Sequence, residues 1–421
     1  MSTAPASHGP RAGGRRERHY AVVVAGGGLV GMTLAVALGR GRVPVGLVEA
    51  PPAPGPGAGA RDPRPIALAE SSRRILAALD LWPALAPLAT PIRSIHVSDR
   101  GRFGFARLHA RDVDLAALGH VVEADDLARV LGDALGGMTG VHRLGPATVS
   151  AARLAADRLL LELGSAEPSH DVGASLLVVC DGGRSPLRES LGIAVRSHDY
   201  RQSAIAARVR PRRGHGFVAY ERFTSAGPLA LLPMADGWCG LVWSLPSERA
   251  REVAALPDTA FLASLSDVFG RRMGAFVESG PRVLFPLQLV SARSVVQPRL
   301  AVIGNAAHHL HPVAGQGLNL GLRDVAALVD VIVTALREDG DPGADAGLER
   351  YAAARRDDHR RVRRATDALV RLFGNDWIPV AAVRDLGLLG LDLLPPLKRR
   401  FTRAATGLAG RASRLERGLA P

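Results

Sequence analysis

A glycine-rich turn between a predicted strand and a predicted helix, close to the start of the chain, constrains the fold most. Residues 21–25 form a short apolar run with three β-branched valines, typical of a buried parallel strand. Gly26-Gly27-Gly28-Leu29-Val30-Gly31 follows and fits the pattern G-x-G-x-x-G. The small residues at 29–39 predict a helix. A strand, a glycine turn and a helix make half of a βαβ unit, so we expect an α/β fold.

The glycine spacing indicates a site for the ADP part of a dinucleotide. The three glycines of the pattern, Gly26, Gly28 and Gly31, allow a tight turn, close approach of a pyrophosphate and close helix–strand packing. The N-terminus of the helix then faces the phosphates. Glu49 comes at the end of the second predicted strand, at 43–48. A carboxylate about 20 residues after the glycine motif is placed to hold a ribose hydroxyl. The alternative is a plain glycine turn with a solvated glutamate, and the motif does not separate FAD from NAD.

The same segment also has features of a signal peptide or a short membrane span. Residues 20–39 carry no charge, and Arg15, Arg16 and Arg18 precede them. The β-branched run and the glycine turn favour the βαβ interpretation instead. Residues 1–19 are rich in Ser, Ala, Pro, Gly and Arg without apolar periodicity, and we expect them to form a disordered basic tail.

Composition narrows the class of protein further. The 421 residues are enough for a sizeable core, and the net charge of +13 is compatible with nucleic acid or an anionic membrane as partner. The chain has one lysine, Lys398, only 4% aromatic residues and no basic motif interleaved with aromatics, so we expect no nucleic-acid partner. Cys180 and Cys239 make no disulfide framework, which favours a reducing, cytoplasmic location.

Two further motifs favour FAD over NAD. A predicted strand at 300–303 ends in Gly304-Asn305, and a glycine loop then leads into a helix predicted over 319–336. A polar side chain at a strand end suits a ribityl hydroxyl, and a helix N-terminus suits the negative charge that develops on a reduced flavin. The other motif runs from Cys180-Asp181-Gly182-Gly183 to Arg188, directly after a strand predicted at 176–179.

The remaining patterns predict the domain organisation. Residues 71–81 and 121–135 have helical periodicity, and from about 200 to 289 short strands alternate with Gly, Pro and Asp. We therefore expect a Rossmann-like FAD-binding domain, an inserted, mostly antiparallel β-sheet domain for the substrate, and a helical C-terminal region. The expected boundaries are 20–95 with 120–195 and 290–345 for the first, 96–119 with 196–289 for the second, and 346–421 for the third.

On its three motifs together, the chain resembles the flavoprotein aromatic hydroxylases of the para-hydroxybenzoate hydroxylase fold. Within them it is most similar to the ubiquinone-biosynthesis hydroxylases, especially the 2-octaprenyl-6-methoxyphenol hydroxylase branch, over about residues 20–390. Shorter runs support that branch: 97–101 (VSDRG), 221–224 (ERFT), 227–230 (GPLA), 232–234 (LPM), 241–243 (LVW), 366–367 (TD) and 372–373 (LF).

The resemblance implies a role for individual residues. It assigns Gly26, Gly28 and Gly31 to the pyrophosphate and Glu49 to the adenosine ribose. It assigns Arg64 to the pyrophosphate and the NAD(P)H approach, although this arginine could equally be solvated. The remaining assignments place Asp181 beside FAD, Asn305 at the ribityl chain, and Gly315, Gln316, Gly317 and Asn319 at the isoalloxazine. The family usually has aspartate where this chain has Asn305, which accepts or donates a hydrogen bond but carries no negative charge.

The implied activity is hydroxylation of a polyprenylated phenol in ubiquinone biosynthesis. In the family NAD(P)H reduces FAD, O₂ adds at flavin C4a, and the hydroperoxide attacks an electron-rich ring, so no protein nucleophile is expected. Alternatives are an FAD-dependent hydroxylase of another aromatic metabolite, a flavin dehydrogenase or halogenase, and a non-catalytic FAD-containing component of a quinone-biosynthesis complex. A halogenase needs a lysine near a tunnel, and Lys398 lies in the C-terminal tail.

Two further expectations concern metals and membranes. His308, His309 and His311 do not have a standard zinc spacing, so we expect no metal. An insoluble substrate would be met at a bilayer or on a lipid carrier. Apolar residues at helical spacing over 397–419, flanked by arginines, predict a basic amphipathic helix. That helix would place the protein peripherally on the inner face of the cell membrane. The competing interpretation is a helix that packs on the protein body, since Gly407, Gly410 and Gly418 weaken it.

Overall fold

Three β-sheets and the helices packed on them make up the computed structural model, which describes residues 18–51, 64–164, 170–373 and 377–421. Residues 1–17 of the tail predicted at 1–19 lie outside these ranges, whereas residues 18 and 19 belong to the first strand. In chain order, the strands are β1 Arg18–Ala25, β2 Val45–Val48, β3 Pro65–Ala69, β4 Thr90–Ile92, β5 Ser94–Asp99, β6 Phe105–His109, β7 Gly119–Glu123, β8 Val141–Leu144, β9 Thr148–Leu154, β10 Leu159–Gly164, β11 His170–Val179, β12 Val195–Pro211, β13 Val218–Phe223, β14 Leu229–Pro233, β15 Cys239–Pro246, β16 Phe276–Ser279, β17 Val283–Ala292, β18 Val296–Gln297, β19 Leu300–Val302 and β20 His308–His309. The α-helices are α1 Leu29–Arg40, α2 Glu70–Ala78, α3 Trp82–Leu85, α4 Ala124–Gly136, α5 Pro186–Ser190, α6 Ser247–Ala255, α7 Asp258–Phe269, α8 Gln316–Arg337, α9 Asp345–Phe373, α10 Ile378–Leu393 and α11 Pro395–Ala405.

The first sheet has β1 in the middle of a parallel core. Its strand order is β8-β2-β1-β11-β19-β18, and β1 pairs in parallel with both β2 and β11. Val22 and Val24 pack into one apolar cluster while Val23 and Ala25 pack into another on the opposite face. Alternate side chains of a strand point to opposite faces, so burial of both faces explains why this run is apolar throughout.

The second sheet has nine strands in the order β20-β17-β12-β15-β14-β13-β5-β6, with β16 beside β12. All its pairings are antiparallel except that of β13 with β5. Helix α6 packs on this sheet through Ala250 and Val253, and α7 packs on it through Phe261 and Leu265. The small third sheet has the order β3-β7-β4, and its strand β3 contacts the start of α8 through Ala67. The expected α/β fold with an inserted, mostly antiparallel sheet is confirmed, whereas the exact domain boundaries stay a prediction.

Four helices follow the last strand, which confirms the helical C-terminal region but not its predicted end. The amphipathic helix expected over 397–419 is wrong in extent, because α11 stops at Ala405. Gly407 has φ +74°, a left-handed conformation that ends a helix. Leu415 is fully buried and packs into the core of the first sheet. Within the described ranges, no helix combines the length and apolar character needed to span a membrane.

Candidate cofactor site

The glycine turn after β1 is held by close backbone contacts. Gly26 has φ +124°, and a Cβ there would lie 2.5 Å from the Cys180 carbonyl oxygen. A Cβ on Gly31 would lie only 1.9 Å from the Gly26 carbonyl oxygen. Both positions therefore require glycine because strands β1 and β11 and helix α1 meet there without room for a side chain.

Gly28 differs from its neighbours because space is open in front of it. A Cβ on Gly28 would meet no atom within 4 Å. Gly28 is also the N-cap of α1, and the first turn of that helix has no side-chain cap and no acidic residue. Open space in front of uncapped N–H groups at a positive helix end fits a pyrophosphate.

Glu49 follows β2 directly and lies against the glycine turn. A Cβ on Gly27 would be 2.6 Å from Glu49 Cγ. Glu49 Oε2 accepts a hydrogen bond from Arg143 Nε at 2.5 Å, and this pairing raises the pKa of Arg143. Arg143 comes from β8, the parallel neighbour of β2, and no local sequence pattern predicts this contact.

The Asp181 motif is tied to the Asn305 turn by a buried arginine. Arg188 Nη1 donates to the carbonyl oxygen of Ala306 at 2.9 Å and to that of Gly183 at 3.2 Å. The Ser185 hydroxyl donates to the Asp181 carboxylate, while burial raises the pKa of Asp181. Arg188 is 2% exposed, so its role is to hold these two turns in a fixed relation.

The Asn305 turn lies against the starts of helices α1 and α8. Gly304 has φ +61°, and a Cβ there would lie 3.2 Å from the Val30 side chain on α1. A Cβ on Gly321 of α8 would be 2.9 Å from the same Val30. Asn305 itself is exposed, and its Oδ1 lies 3.9 Å from where a Cβ of Gly317 would be. The structure thus brings together three of the predicted motifs around the N-terminus of α1.

Asn319 is buried, and the protein itself uses all of its amide hydrogen-bonding capacity. Its Nδ2 donates to the carbonyl oxygens of Ala67 at 2.8 Å and Gly315 at 2.7 Å. Its Oδ1 accepts from Ala69 N and Ser72 Oγ, both at 2.7 Å. The Asn319 side chain therefore fixes the loop before α8 against β3 and α2, and it positions this loop instead of reaching outward.

The loop before α8 has two further fixed points. Gly315 has φ +58° and caps α8, which begins at Gln316 and not at the predicted Asn319. Gln316 Nε2 donates to the Ala405 carbonyl oxygen at 3.4 Å, so the end of α11 lies beside this loop. Gly317, one residue further, keeps the start of the helix free of a side chain.

Two buried histidines, His308 and His311, lie next to this loop. His311 shares a hydrogen bond with Gln202 of β12 at 3.3 Å and accepts one from Val313 N at 3.3 Å. Burial lowers the pKa of His311 to about 4, and burial together with the neighbouring His359 lowers the pKa of His308 to about 3. Among the residues that the structure describes, no group of three or more His, Cys, Asp or Glu is placed to hold a metal ion.

Arg64 lies against the second sheet. Its guanidinium is 4.8 Å from the ring centroid of Phe285 on β17, and its carbonyl oxygen accepts from Ala124 N. Arg208 and Arg210 of β12 both lie over the Trp238 ring, at 5.0 and 4.6 Å. This basic and aromatic surface was not predicted, since its members are dispersed over the sequence.

Comparison with known proteins agrees with the geometry. The family described as "FAD binding domain" matches residues 19–366. The ubiquinone hydroxylase UbiL of Rhodospirillum rubrum is 40% identical over 99% of this chain and 96% of its own length. The 3-demethoxyubiquinol 3-hydroxylase of Escherichia coli is 33% identical over 92% and 98%. The solved structure of p-nitrophenol 4-monooxygenase PnpA from Pseudomonas putida has the same fold, with a TM-score of 0.77, 17% identity and coverage of 94% of this chain and 99% of its own.

The fold and the convergent glycine motifs define a flavoprotein with one dinucleotide-binding site. With these matches, the chain belongs to the FAD-binding family of flavoprotein aromatic hydroxylases and is an FAD-dependent monooxygenase. The sequence-based prediction of the family, the fold and the FAD cofactor is confirmed. The individual site residues stay predictions, and the next subsection proposes their roles.

Proposed function

We propose that this protein hydroxylates the ring of a polyprenylated phenol on the way to ubiquinone, with NAD(P)H and O₂ as co-substrates. The observation that carries the proposal is the convergence of the Gly28 opening, the Asn305 turn and the loop before α8. The named activities of two relatives that match nearly the full chain support the choice of a ubiquinone precursor as substrate.

The cofactor-binding roles follow the geometry of the site. The N–H groups at Gly28 and the start of α1 would hold the pyrophosphate, and Glu49 would accept from the adenosine ribose while Arg143 fixes its carboxylate. Asn305, exposed beside Gly317, would contact the ribityl chain. Asp181 would lie next to the cofactor, since its backbone N is 2.8 Å from a Cβ built on Gly26.

The protein's own part in the chemistry is positioning and electrostatics. When bound, FAD supplies electron transfer from NAD(P)H and the activation of O₂. The α8 N-terminus, held by Asn319 and capped by Gly315, would present backbone N–H groups to negative charge on the flavin ring. His308 and His311 stay neutral at neutral pH, so they add no positive charge beside this loop.

A turnover assay with a soluble, short-chain prenylated phenol tests the proposal. We expect phenol-dependent NAD(P)H oxidation and a product heavier by one oxygen atom, with the label of ¹⁸O₂ incorporated. Phenol-stimulated NAD(P)H oxidation without a hydroxylated product would indicate a dehydrogenase or oxidase. An absence of flavin reduction with every phenol tried would favour a non-catalytic FAD-containing component.

Asn305→Ala should weaken FAD binding without abolishing it. A single hydrogen bond contributes about 0.5–1.5 kcal/mol, so we expect FAD affinity to fall by up to about tenfold. Asn305→Asp keeps an acceptor and should retain FAD. Fluorescence titration of the apoprotein measures the change, with the exposed amide variant Gln288→Ala as control. Unchanged affinity in Asn305→Ala would remove this residue from the cofactor site.

Arg64→Ala should raise the KM for NAD(P)H more than it changes FAD content. The guanidinium lies over the ring of Phe285, and a cation beside an aromatic ring can hold a diphosphate and a flat ring. We expect a KM increase of about tenfold, equivalent to about 1.4 kcal/mol, with kcat little altered. The exposed Arg153→Ala on β9 is the control. A KM equal to that of the wild type would exclude Arg64 from the NAD(P)H site.

The substrate also determines where the enzyme must work. A polyprenyl tail partitions into a bilayer, so we propose that the protein acts peripherally on the inner face of the cell membrane and not through a protein carrier in a quinone-biosynthesis complex. The next subsection identifies the surface of the protein that this proposal requires.

A further inference from the structure

We propose that α10, α11 and the turn between β5 and β6 form a docking surface for an anionic lipid bilayer. The inference rests on the proposed function, because a membrane-resident substrate is the reason for such a surface. This docking surface comprises the exposed residues of 377–403 together with Phe103 of the β5–β6 turn.

The docking surface concentrates large apolar side chains that face solvent. Seven of the fifteen large apolar side chains that are exposed among the described residues fall within 377–401. Their exposed fractions reach 72% for Leu393, and Phe103, from the β5–β6 turn, adds another at 63%. The seven are Trp377, Val383, Leu386, Leu393, Leu394, Leu397 and Phe401. Such a concentration of exposed apolar side chains on two successive helices marks an interaction site.

Helix α10 has one packed face and one open face. Val383, Leu386 and Leu393 recur at helical spacing on the open face. On the opposite face, Arg384 and Asp385 are buried, and Arg384 pairs with the buried Asp99 of β5. Because the ion pair anchors α10 to the second sheet, the apolar face is held outward by the fold.

The packed face of α10 leads toward the cofactor loop. Arg384 lies 5.0 Å over the Phe373 ring, and Phe373 stacks on Phe223 of β13 at 3.6 Å. Both rings belong to one buried apolar cluster with Val313, two residues before Gly315. A chain of buried side-chain contacts therefore connects the docking surface with the loop that the flavin ring would contact.

The charges around the apolar residues select an anionic partner. From 377 onward the acids are Asp385, Asp392 and Glu416; the first and last are buried, and Asp392 pairs with Lys398 and Arg107. The exposed charges of the docking surface itself are the arginines Arg399, Arg400 and Arg403. A second copy of the chain would bring these arginines face to face across a two-fold axis, whereas anionic lipid headgroups neutralise them.

Co-sedimentation of the holoenzyme with vesicles tests the surface. The vesicles contain either equal parts of phosphatidylglycerol and phosphatidylcholine or phosphatidylcholine alone. We expect binding to the anionic vesicles at low salt and release at high salt. Leu386→Ser/Leu393→Ser should reduce the partition coefficient by at least about tenfold, since two apolar anchors are lost. Arg399→Gln/Arg400→Gln should act similarly on anionic vesicles only.

A matched control comes from the opposite part of the molecule. Leu154 on β9 is 63% exposed, as Leu386 is, and Arg153 beside it is also exposed. Arg153→Gln/Leu154→Ser should sediment like the wild type. Equal sedimentation of Leu386→Ser/Leu393→Ser and the wild type, or no sedimentation of the wild type, would overturn the proposal. If the wild type is a dimer and the leucine variant is a monomer, the surface binds a second copy of the chain and not a bilayer.

Two activity measurements separate failure of this proposal from failure of the proposed function. With a soluble, short-chain phenol, Leu386→Ser/Leu393→Ser should turn over like the wild type. With a long-chain phenol embedded in anionic vesicles, its rate should fall in parallel with binding. If vesicle binding depends on the leucines while no phenol is hydroxylated, the proposed function fails and the surface stands. If both proteins hydroxylate the vesicle-embedded phenol equally, the surface fails and the function stands.

Discussion

Gly28→Asp is expected to give a folded protein that is colourless because it cannot hold FAD. A side chain at Gly28 meets no atom of the protein, so the substitution leaves the packing of β1 and α1 intact. It places a carboxylate in the open space at the N-terminus of α1, where the pyrophosphate must lie. Steric exclusion and repulsion between the two anions should lower FAD affinity at least about a hundredfold, or about 3 kcal/mol.

Three variants distinguish loss of the cofactor from loss of the fold. Gly28→Ala carries no charge and should keep most of the FAD, while Gly214→Asp in an exposed loop should keep all of it. Gly31→Asp should instead fail to fold, since its Cβ would lie 1.9 Å from the Gly26 carbonyl oxygen. Flavin absorbance and circular dichroism on the purified proteins measure both properties. If Gly28→Asp has the flavin absorbance of the wild type, the pyrophosphate does not bind at the N-terminus of α1.

Sequence patterns predicted the parts of the fold that depend on local chemistry. The apolar run of β1, the glycine turn and α1 follow one another along the chain, so each leaves a readable pattern. The same holds for the short strands of the second sheet between Val195 and Ala292. The glycines at 26, 31 and 304 were also recognisable, because backbone contact or positive φ allows no other residue there.

Features that depend on tertiary contacts were missed or misplaced. Residues 121–135 have helical periodicity, yet 121–123 belong to β7, where pairing with β3 overrides the local preference. The C-terminal stripe around Leu415 predicted a continuous amphipathic helix, but α11 ends before the glycine at 407, and Leu415 beyond it packs into the core. Likewise, the Arg143 contact to Glu49 joins two strands far apart in sequence, and no spacing rule predicts such a pair.

The second large effect concerns acid stability. His96, His308 and His311 are each at most 6% exposed, and they lie in the second sheet and around the cofactor loop. Burial, with nearby arginines for His96, lowers the pKa of His96 and of His311 to about 4, while burial and His359 lower that of His308 to about 3. In the unfolded chain these histidines titrate at about pH 6.5.

The sign of the effect follows from which state binds protons. Between about pH 6.5 and 4 the unfolded chain takes up protons on these histidines while the native protein does not. The free energy of unfolding therefore falls as the pH falls through this range, and it is fully retained above about pH 6.5. At about pH 5 each histidine lowers the free energy of unfolding by about 2 kcal/mol, and three acting independently lower it by about 6 kcal/mol. That is comparable with the entire stability of many domains.

The Asp324 carboxylate titrates in a separate, more acidic range. Burial raises its pKa, but His359 and Arg355, at 2.6 and 2.7 Å from Oδ1, outweigh burial and hold it below its usual value. Its stabilising contribution is present above about pH 4 and is lost only below that. Loss of stability between about pH 6.5 and 5 therefore reports on the buried histidines and not on the Asp324 carboxylate.

Urea unfolding of the holoenzyme at several pH values between about 7 and 5 measures the effect and assigns it. His96→Phe keeps an aromatic ring between Phe105 and Tyr220 but cannot take up a proton. It should remove at most about a third of the acid-induced loss, because burial also lowers the pKa of His120 and of His309. His198→Phe, at an exposed position, should keep the wild-type slope. An equal slope in all three proteins would mean that the ring of His96 is hydrated in the native state and takes up its proton without unfolding.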